Sequence, residues 1–220
     1  MIGALRGALL RRRLRRISRR DRHALGRLAR RHPGLEIHPE ASSNLAVARF
    51  QLGEGARLRI GAGVVTEHTP DALRFLLAPG ATCEIGAGTW LRTDLGPVVI
   101  AVFEGGTLRM GPECFLNGAH LSCKERVTLG RRAWIGPGSR VFDADQHDFD
   151  AEHPERRAPV AIGDHVWIAS DVTVLRGVTI GDHAVIGCRS VVTRDVPAHR
   201  VAVGAPATLR GEVGDRSHAP

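Results

Sequence analysis

Apolar residues recur along the C-terminal half of the chain at a fixed step of six: Ile162, Ile168, Val174, Ile180, Ile186 and Val192. Leu129, Ile135 and Val141 keep the same step. Farther upstream, Ile60, Ile85 and Met110 are looser beats, each followed by glycine, and glycine also follows Leu129, Ile135, Ile162, Ile180 and Ile186. Neither a helical period of about 3.6 nor the alternation of a single strand gives this step. It fits short strands joined by tight corners, with the apolar residue inward and the small residue after it letting the chain turn. Three such hexads make one triangular coil, and stacked coils make a parallel β-helix. Each buried Ile or Val contributes about 1.5–3 kcal/mol of gross burial. One coil cannot hide its own strand edges, so stability comes from neighbouring coils.

Two irregularities carry more information than the beat. Trp90, Trp134 and Trp167 each stand immediately before an inward position (Leu91, Ile135, Ile168). Side chains alternate along a strand, so all three should point outward, and large exposed apolar groups mark contacts with a partner or ligand. The second is a break of phase. After Val141 the beat should fall at 147, 153 and 159, yet it resumes at Ile162. Part of residues 142–159, beginning "FDADQHDFDAEHP", therefore leaves the coil as a projecting loop, and functional groups are often carried on such loops. The 25-residue spacing of Ile60, Ile85 and Met110 predicts further outward loops, near 66–78 and near 93–105.

The N-terminal arm has a different pattern. Ile2, Leu5, Leu9, Leu14, Ile17, Leu25 and Leu28 fall mostly at steps of three or four, as in an amphipathic helix that His32-Pro33-Gly34 would end. Its apolar run is too short and too interrupted for a membrane span or a secretory core. Residues 1–32 hold 12 Arg and one Asp, a net of +11, whereas the remainder carries −3. The basic character thus belongs to the arm alone. Three readings stay open for it: a solvated or packed helix, a contact with anionic membrane through residues 1–31, and nucleic acid. The last is disfavoured, because the arm has no aromatic residue to stack on bases and the main domain is mildly acidic.

Composition supports a thin, repetitive fold: 26 Gly, no Tyr, six Phe and three Trp. Cys83, Cys114, Cys123 and Cys188 show no CxxC spacing and read as reduced, small core residues. The expected location is the cytoplasm, with the arm at the inner face of the membrane. The predicted organisation is a basic helical arm over 1–34, a β-helix domain over 35–210 with its loop at about 142–159, and a tail over 211–220.

Residues 160–210 contain "IGDHVWIAS", "GVTIGDHAVIG", "SVVTRDVP" and "VGAPA", in that order. With these motifs the chain resembles the hexapeptide-repeat acyltransferases, in particular the maltose/galactoside O-acetyltransferases and polysaccharide O-acetyltransferases. The resemblance spans about 45–210 and excludes the arm. It implies an all-β, left-handed parallel β-helix, an exception to the usual right-handed crossover. It also implies a homotrimer, with acetyl-CoA lying between neighbouring subunits, and a sugar or glycoconjugate acceptor.

The resemblance assigns roles residue by residue. A sugar hydroxyl is barely ionised at neutral pH, so acetyl transfer needs a base, and imidazole titrates in the right range. The loop offers His147 and His153; the family pattern selects His147. Asp145, Asp143 or a backbone carbonyl would orient the ring. The backbone N–H at Ser170 or its neighbour Ala169 would meet the developing oxyanion. Trp167 would pack along the pantetheine arm or against a trimer neighbour. Cys188 stands where alanine is usual and would meet the pantetheine amides. Thr193 and Arg194 match a pair at the nucleotide end, and Arg210, in an altered motif, would meet a phosphate. Asn117, in "CFLNGAHL", would hold the acceptor; otherwise it is a corner asparagine. No metal is expected, since the aspartate-rich loop lacks the glycine and closing glutamate of a calcium loop. Two rival readings remain: a γ-type carbonic anhydrase using His120, His147, His165 and His183, and a non-catalytic binding solenoid.

Overall fold

The computed structural model describes residues 2–218, with side chains from Arg15 onward. The arm is one helix, α1 (Ile2–Arg31), ended just before His32-Pro33-Gly34. Its apolar positions Ile2, Leu5, Leu9 and Leu14 lie outside the described side chains. After α1 the chain winds into three mainly parallel sheets forming the walls of a triangular solenoid. The first face runs from Leu35–Ile37 to Thr179–Ile180, the second from Arg49–Leu52 to Val191–Val192, and the third from Val65–Thr66 to Arg200–Gly204. Within each coil the chain visits the first, third and second faces in turn. A 3-10 helix, Ser43–Val47, takes the third-face position of the first coil, and the antiparallel strand Ala207–Glu212 closes the far end.

The six-residue beat is a set of columns. On the first face Ile60, Ile85, Met110, Leu129, Ile162 and Ile180 are successive register partners. On the third face Leu116, Ile135, Ile168 and Ile186 stack in the same way, and on the second Leu121, Val141, Val174 and Val192. All are buried. The widely spaced upstream beats thus belong to the same columns as the strict ones.

Three expectations need correction. The glycine after each first-face beat does not serve to turn the chain. A Cβ on Gly86 would lie 2.2 Å from the Gly111 carbonyl oxygen, and one on Gly163 would lie 2.2 Å from Asp182 Oδ1. Glycine is required there because the next coil's backbone, or a side chain bonded to it, lies directly against it. The loops expected near 66–78 and 93–105 are shorter, since Leu73–Leu77 and Val98–Val102 are paired strands of the second face. Finally, Cys83, Cys114 and Cys123 are buried, but Cys188 is exposed at a corner.

At the corner between the first and third faces, the turn is made by residues in the left-handed region. Gly63 and Gly88 adopt left-handed conformations there, and Glu113, Arg132, His165, His183 and His199 do the same in later coils, with φ between 53° and 61°. This conformation stacks the imidazoles of His165, His183 and His199, with centroids 5.1 and 4.7 Å apart.

Candidate active site

The projecting loop runs from Phe142, at the end of a second-face strand, to Val160, at the start of a first-face strand. It is built on a polar anchor. Asp143 is fully buried, and its carboxylate accepts from the backbone N–H of Lys124 at 2.7 Å and of Glu125 at 2.8 Å. The Lys124 ammonium lies under the loop, donating to the Gln146 carbonyl at 3.0 Å and to the Glu155 carboxylate. That hydrogen bond holds the Glu155 carboxyl below the usual glutamate range. Ser122 Oγ meets Gln146 Oε1 at 3.1 Å, and Gln146 adopts a left-handed backbone (φ 77°). The next residue, His147, is exposed and has no hydrogen-bond partner among the described residues.

Neither expected aspartate orients that ring within its own chain. Asp145 accepts instead from Arg176 Nε at 2.6 Å, and this hydrogen bond lowers its pKa. Asp143 is occupied by the two backbone donors. Arg176 takes Asp145 because it projects from the next coil at the corner where the loop leaves the solenoid. His153 is paired with Asp150 at the loop tip, Nδ1 to Oδ1 at 2.8 Å.

The residues assigned to the acyl donor fall at two corners. Ser170 and Cys188 stand one coil apart where the third face gives way to the second, as the register Ile168↔Ile186 requires. The N–H of Ala169 is taken by the Ile186 carbonyl at 2.9 Å, whereas those of Ser170 and Cys188 have no partner among the described residues. Ser170 is therefore the available donor, and Ala169 is not. Asn117 ends a third-face strand two coils lower, and the register Leu116↔Ile135↔Ile168 aligns it with Ala169, next to this corner. It is 6% exposed, and its Oδ1 has no hydrogen-bond partner. Buried polar atoms are nearly always paired, so an orphaned acceptor points to a ligand or ordered water.

Thr193 and Arg194 are exposed at the corner between the second and first faces, one coil beyond Leu175 and Arg176. This is the corner from which the loop springs. Arg210 is not brought there; it lies exposed on the closing antiparallel strand beside the third face. Trp167 points outward as expected and is 43% exposed, at the end of an outer row formed with Trp90, Phe115 and Trp134.

Several residues here had not been singled out for these roles. Arg176 lies 18 residues, one regular coil, before Arg194, and Ser170 lies the same distance before Cys188, so coil arithmetic places both pairs. Arg216 carried no signal. The tail folds back along the histidine corner: its N–H donates to His183 Nδ1 at 3.0 Å, its Nε to the His165 carbonyl, and its guanidinium covers the Trp167 ring at 5.4 Å. His120 faces outward on the second face between the two corners, edge-on to Phe142, and burial lowers its pKa. The four histidines considered for a metal do not converge: His165 and His183 stack at one corner, whereas His120 lies on the second face and His147 on the loop. Among the described residues no group of three or more His, Cys, Asp or Glu converges as a metal would require.

The coils and corners define a class, the left-handed parallel β-helix of hexapeptide-repeat proteins. Residues 159–194 match the family described as "Bacterial transferase hexapeptide (six repeats)". The chain is 50% identical over 93 residues to a galactoside O-acetyltransferase of Escherichia coli (strain K12), covering 41% of this chain and 46% of that protein. The chain thus spans less than half the length of this relative. Among solved structures, the polySia specific acetyltransferase NeuO aligns with a TM-score of 0.55 at 21% identity, over 79% of this chain and 84% of that one. The polysialic acid O-acetyltransferase OatWY aligns at 0.51 and 22%, over 79% and 94%. These two likenesses show the fold. The sequence resemblance to hexapeptide-repeat acyltransferases rests on the matched repeats and the local identity.

Proposed function

We propose that this chain is an O-acetyltransferase that moves an acetyl group from acetyl-CoA to a sugar hydroxyl, as part of a polysaccharide or glycolipid precursor. The observation that carries the reading is the anchored loop. Buried Asp143 and partly buried Lys124 fix a projecting segment whose exposed imidazole, His147, rises from the corner shared with Thr193 and Arg194. The identity to a galactoside O-acetyltransferase supports a sugar acceptor and an oxygen nucleophile.

The donor supplies an activated acetyl thioester. Trp167 offers an apolar wall, the free N–H of Cys188 an amide donor, and Thr193 and Arg194 a hydroxyl and a charge for the nucleotide end. Asn117, with an unpaired Oδ1 and an amide donor, holds the acceptor sugar. His147 takes the proton from the attacking hydroxyl as the carbon–oxygen bond forms. The Ser170 N–H faces the oxygen on which negative charge gathers, an interaction worth about 3 kcal/mol in comparable sites. The carbon–sulfur bond then breaks, and the imidazolium returns its proton to the departing thiolate. His147 and Trp167 project from different walls, and His147 lacks an orienting partner in its own chain. Both features fit a homotrimer in which a neighbouring copy completes the site.

Thiol release from acetyl-CoA, measured against a panel of galactosides and other sugars, tests this directly. His147→Ala should lower kcat at least about 100-fold with little change in donor binding. A variant with undiminished turnover sinks the assignment of the base. Failure of the native chain to bind coenzyme A or to turn over any acceptor would favour a binding solenoid instead.

A further inference from the structure

The arginine-rich helix has no task in the transferase reading. Its C-terminal half closes the first coil of the solenoid. Leu25 is buried and Leu28 half-buried against the core, Ser18 Oγ meets Ser43 Oγ at 3.2 Å, and Arg22 donates to the Pro39 carbonyl at 2.8 Å. The outward side of the same segment carries Arg15, Arg16, Arg19, Arg20, Arg27 and Arg30, all exposed. None of these six is in an ion pair among the described residues. Asp21, the helix's single acid, is turned inward: it is 8% exposed, and its Oδ2 lies 3.1 Å from His68 Nε2. The outer face is therefore uniformly cationic, with Ile17 exposed among the arginines.

Such a face is costly without a counter-surface. Arg15 and Arg19, and likewise Arg16 and Arg20, stand at i, i+4, where like charges destabilise a helix. We propose that this face docks the chain on an anionic lipid bilayer, with the guanidinium groups on headgroup phosphates. A long polyanion such as nucleic acid fits less well. The helix has no aromatic residue for stacking, and a strand extending past it would run along a body of net charge −3. A flat surface touches only the capped end.

Docking by the end cap sets the height of the proposed site. The loop bearing His147 leaves the fifth strand of the second face. Stacked strands are about 4.8 Å apart and the capping helix is about 10 Å across, so the loop stands roughly 30 Å from the docked face. The acceptor reached there is a lipid-linked saccharide long enough to extend that far, not a hydroxyl in the headgroup layer. This last step rests on the transferase reading; the docking does not.

Co-sedimentation with vesicles tests the docking without any turnover. The full chain should sediment with vesicles in which a third of the phosphatidylcholine is replaced by phosphatidylglycerol. It should stay in solution with phosphatidylcholine alone, and high salt should release it. Arg15→Gln, Arg16→Gln, Arg19→Gln and Arg20→Gln combined should weaken binding at least about tenfold without lowering the thermal melt; lysine at the same four positions should keep binding. Equal sedimentation with both vesicle types, none with either, or undiminished binding of the glutamine variant overturns the proposal. So does displacement from anionic vesicles onto single-stranded RNA in direct competition.

Discussion

The coil over residues 160–176 and the loop over residues 143–159 are neighbours of similar length held by opposite means. The coil sends Ile162, Ile168 and Val174 into three apolar columns, each no more than 2% exposed, and lays Gly163 against the next coil. The loop sends no residue into a column, and its Phe149 is 78% exposed. It is tied by a few charged groups: Asp143 to two N–H donors, Lys124 to Glu155, and Asp145 to Arg176. Burial in the coil is distributed and repeats, so no single contact decides it. In the loop each contact is single and directional, which lets a side chain such as His147 be aimed away from the core.

The contrast is broken most severely in the stacked coils. Gly86→Val places a Cβ 2.2 Å from the Gly111 carbonyl oxygen, and neither backbone can yield without splitting two coils. The expected loss is about 4 kcal/mol or more, at the upper end for single substitutions. Urea unfolding should show it as a lower midpoint. A midpoint within experimental error of the native one would mean that the coils are not in such close contact.

This arithmetic of columns explains what the sequence made legible. A beat of six that persists over Ile162 to Val192 leaves one architecture open, and a break of phase locates the loop to within a few residues. The arrangement inside the loop was not legible, because no period links its parts. Asp145 finds Arg176, 31 residues on, and Lys124 finds Glu155, also 31 residues on. Asp145 was expected to face His147 because it is near in sequence. The guanidinium projecting from the next coil is the stronger partner for a carboxylate. The glycines misled in the opposite sense. Their positions were read correctly, but the requirement comes from the adjoining coil, which a linear reading does not contain.

A middle-sized effect should come from the loop's buried anchor. Asp143→Ala leaves the N–H groups of Lys124 and Glu125 without their acceptor, at a cost of about 3 kcal/mol. Because the columns do not depend on Asp143, that cost should appear as local opening more than as global unfolding. Limited proteolysis should cut near Phe149 much faster than in the native chain, while the main unfolding transition shifts less. On the transferase reading, kcat should fall with it. Unchanged protection of the loop would show that the remaining ion pairs suffice, and that Asp143 is not its anchor.

The smallest effect separates the two regions by pH. Asp145 and Glu155 have pKa values lowered from 3.8 and 4.5 by Arg176 and Lys124. A carboxylate with a depressed folded pKa contributes stability that is present above its unfolded value and lost as pH falls through the folded one. Protection of the loop should therefore hold at neutral pH and decline only in the acid range below about 4. His120 belongs to the coil and behaves differently. Burial lowers its pKa from 6.5, so below that pH the unfolded chain takes up a proton that the folded chain resists. Global stability should then begin to fall at mildly acid pH, while the loop is still latched. His120→Gln should flatten that first decline and leave the second untouched. Hydrogen exchange followed across this range reads both regions at once. Simultaneous loss of protection in coil and loop would show that the loop has no independent latch.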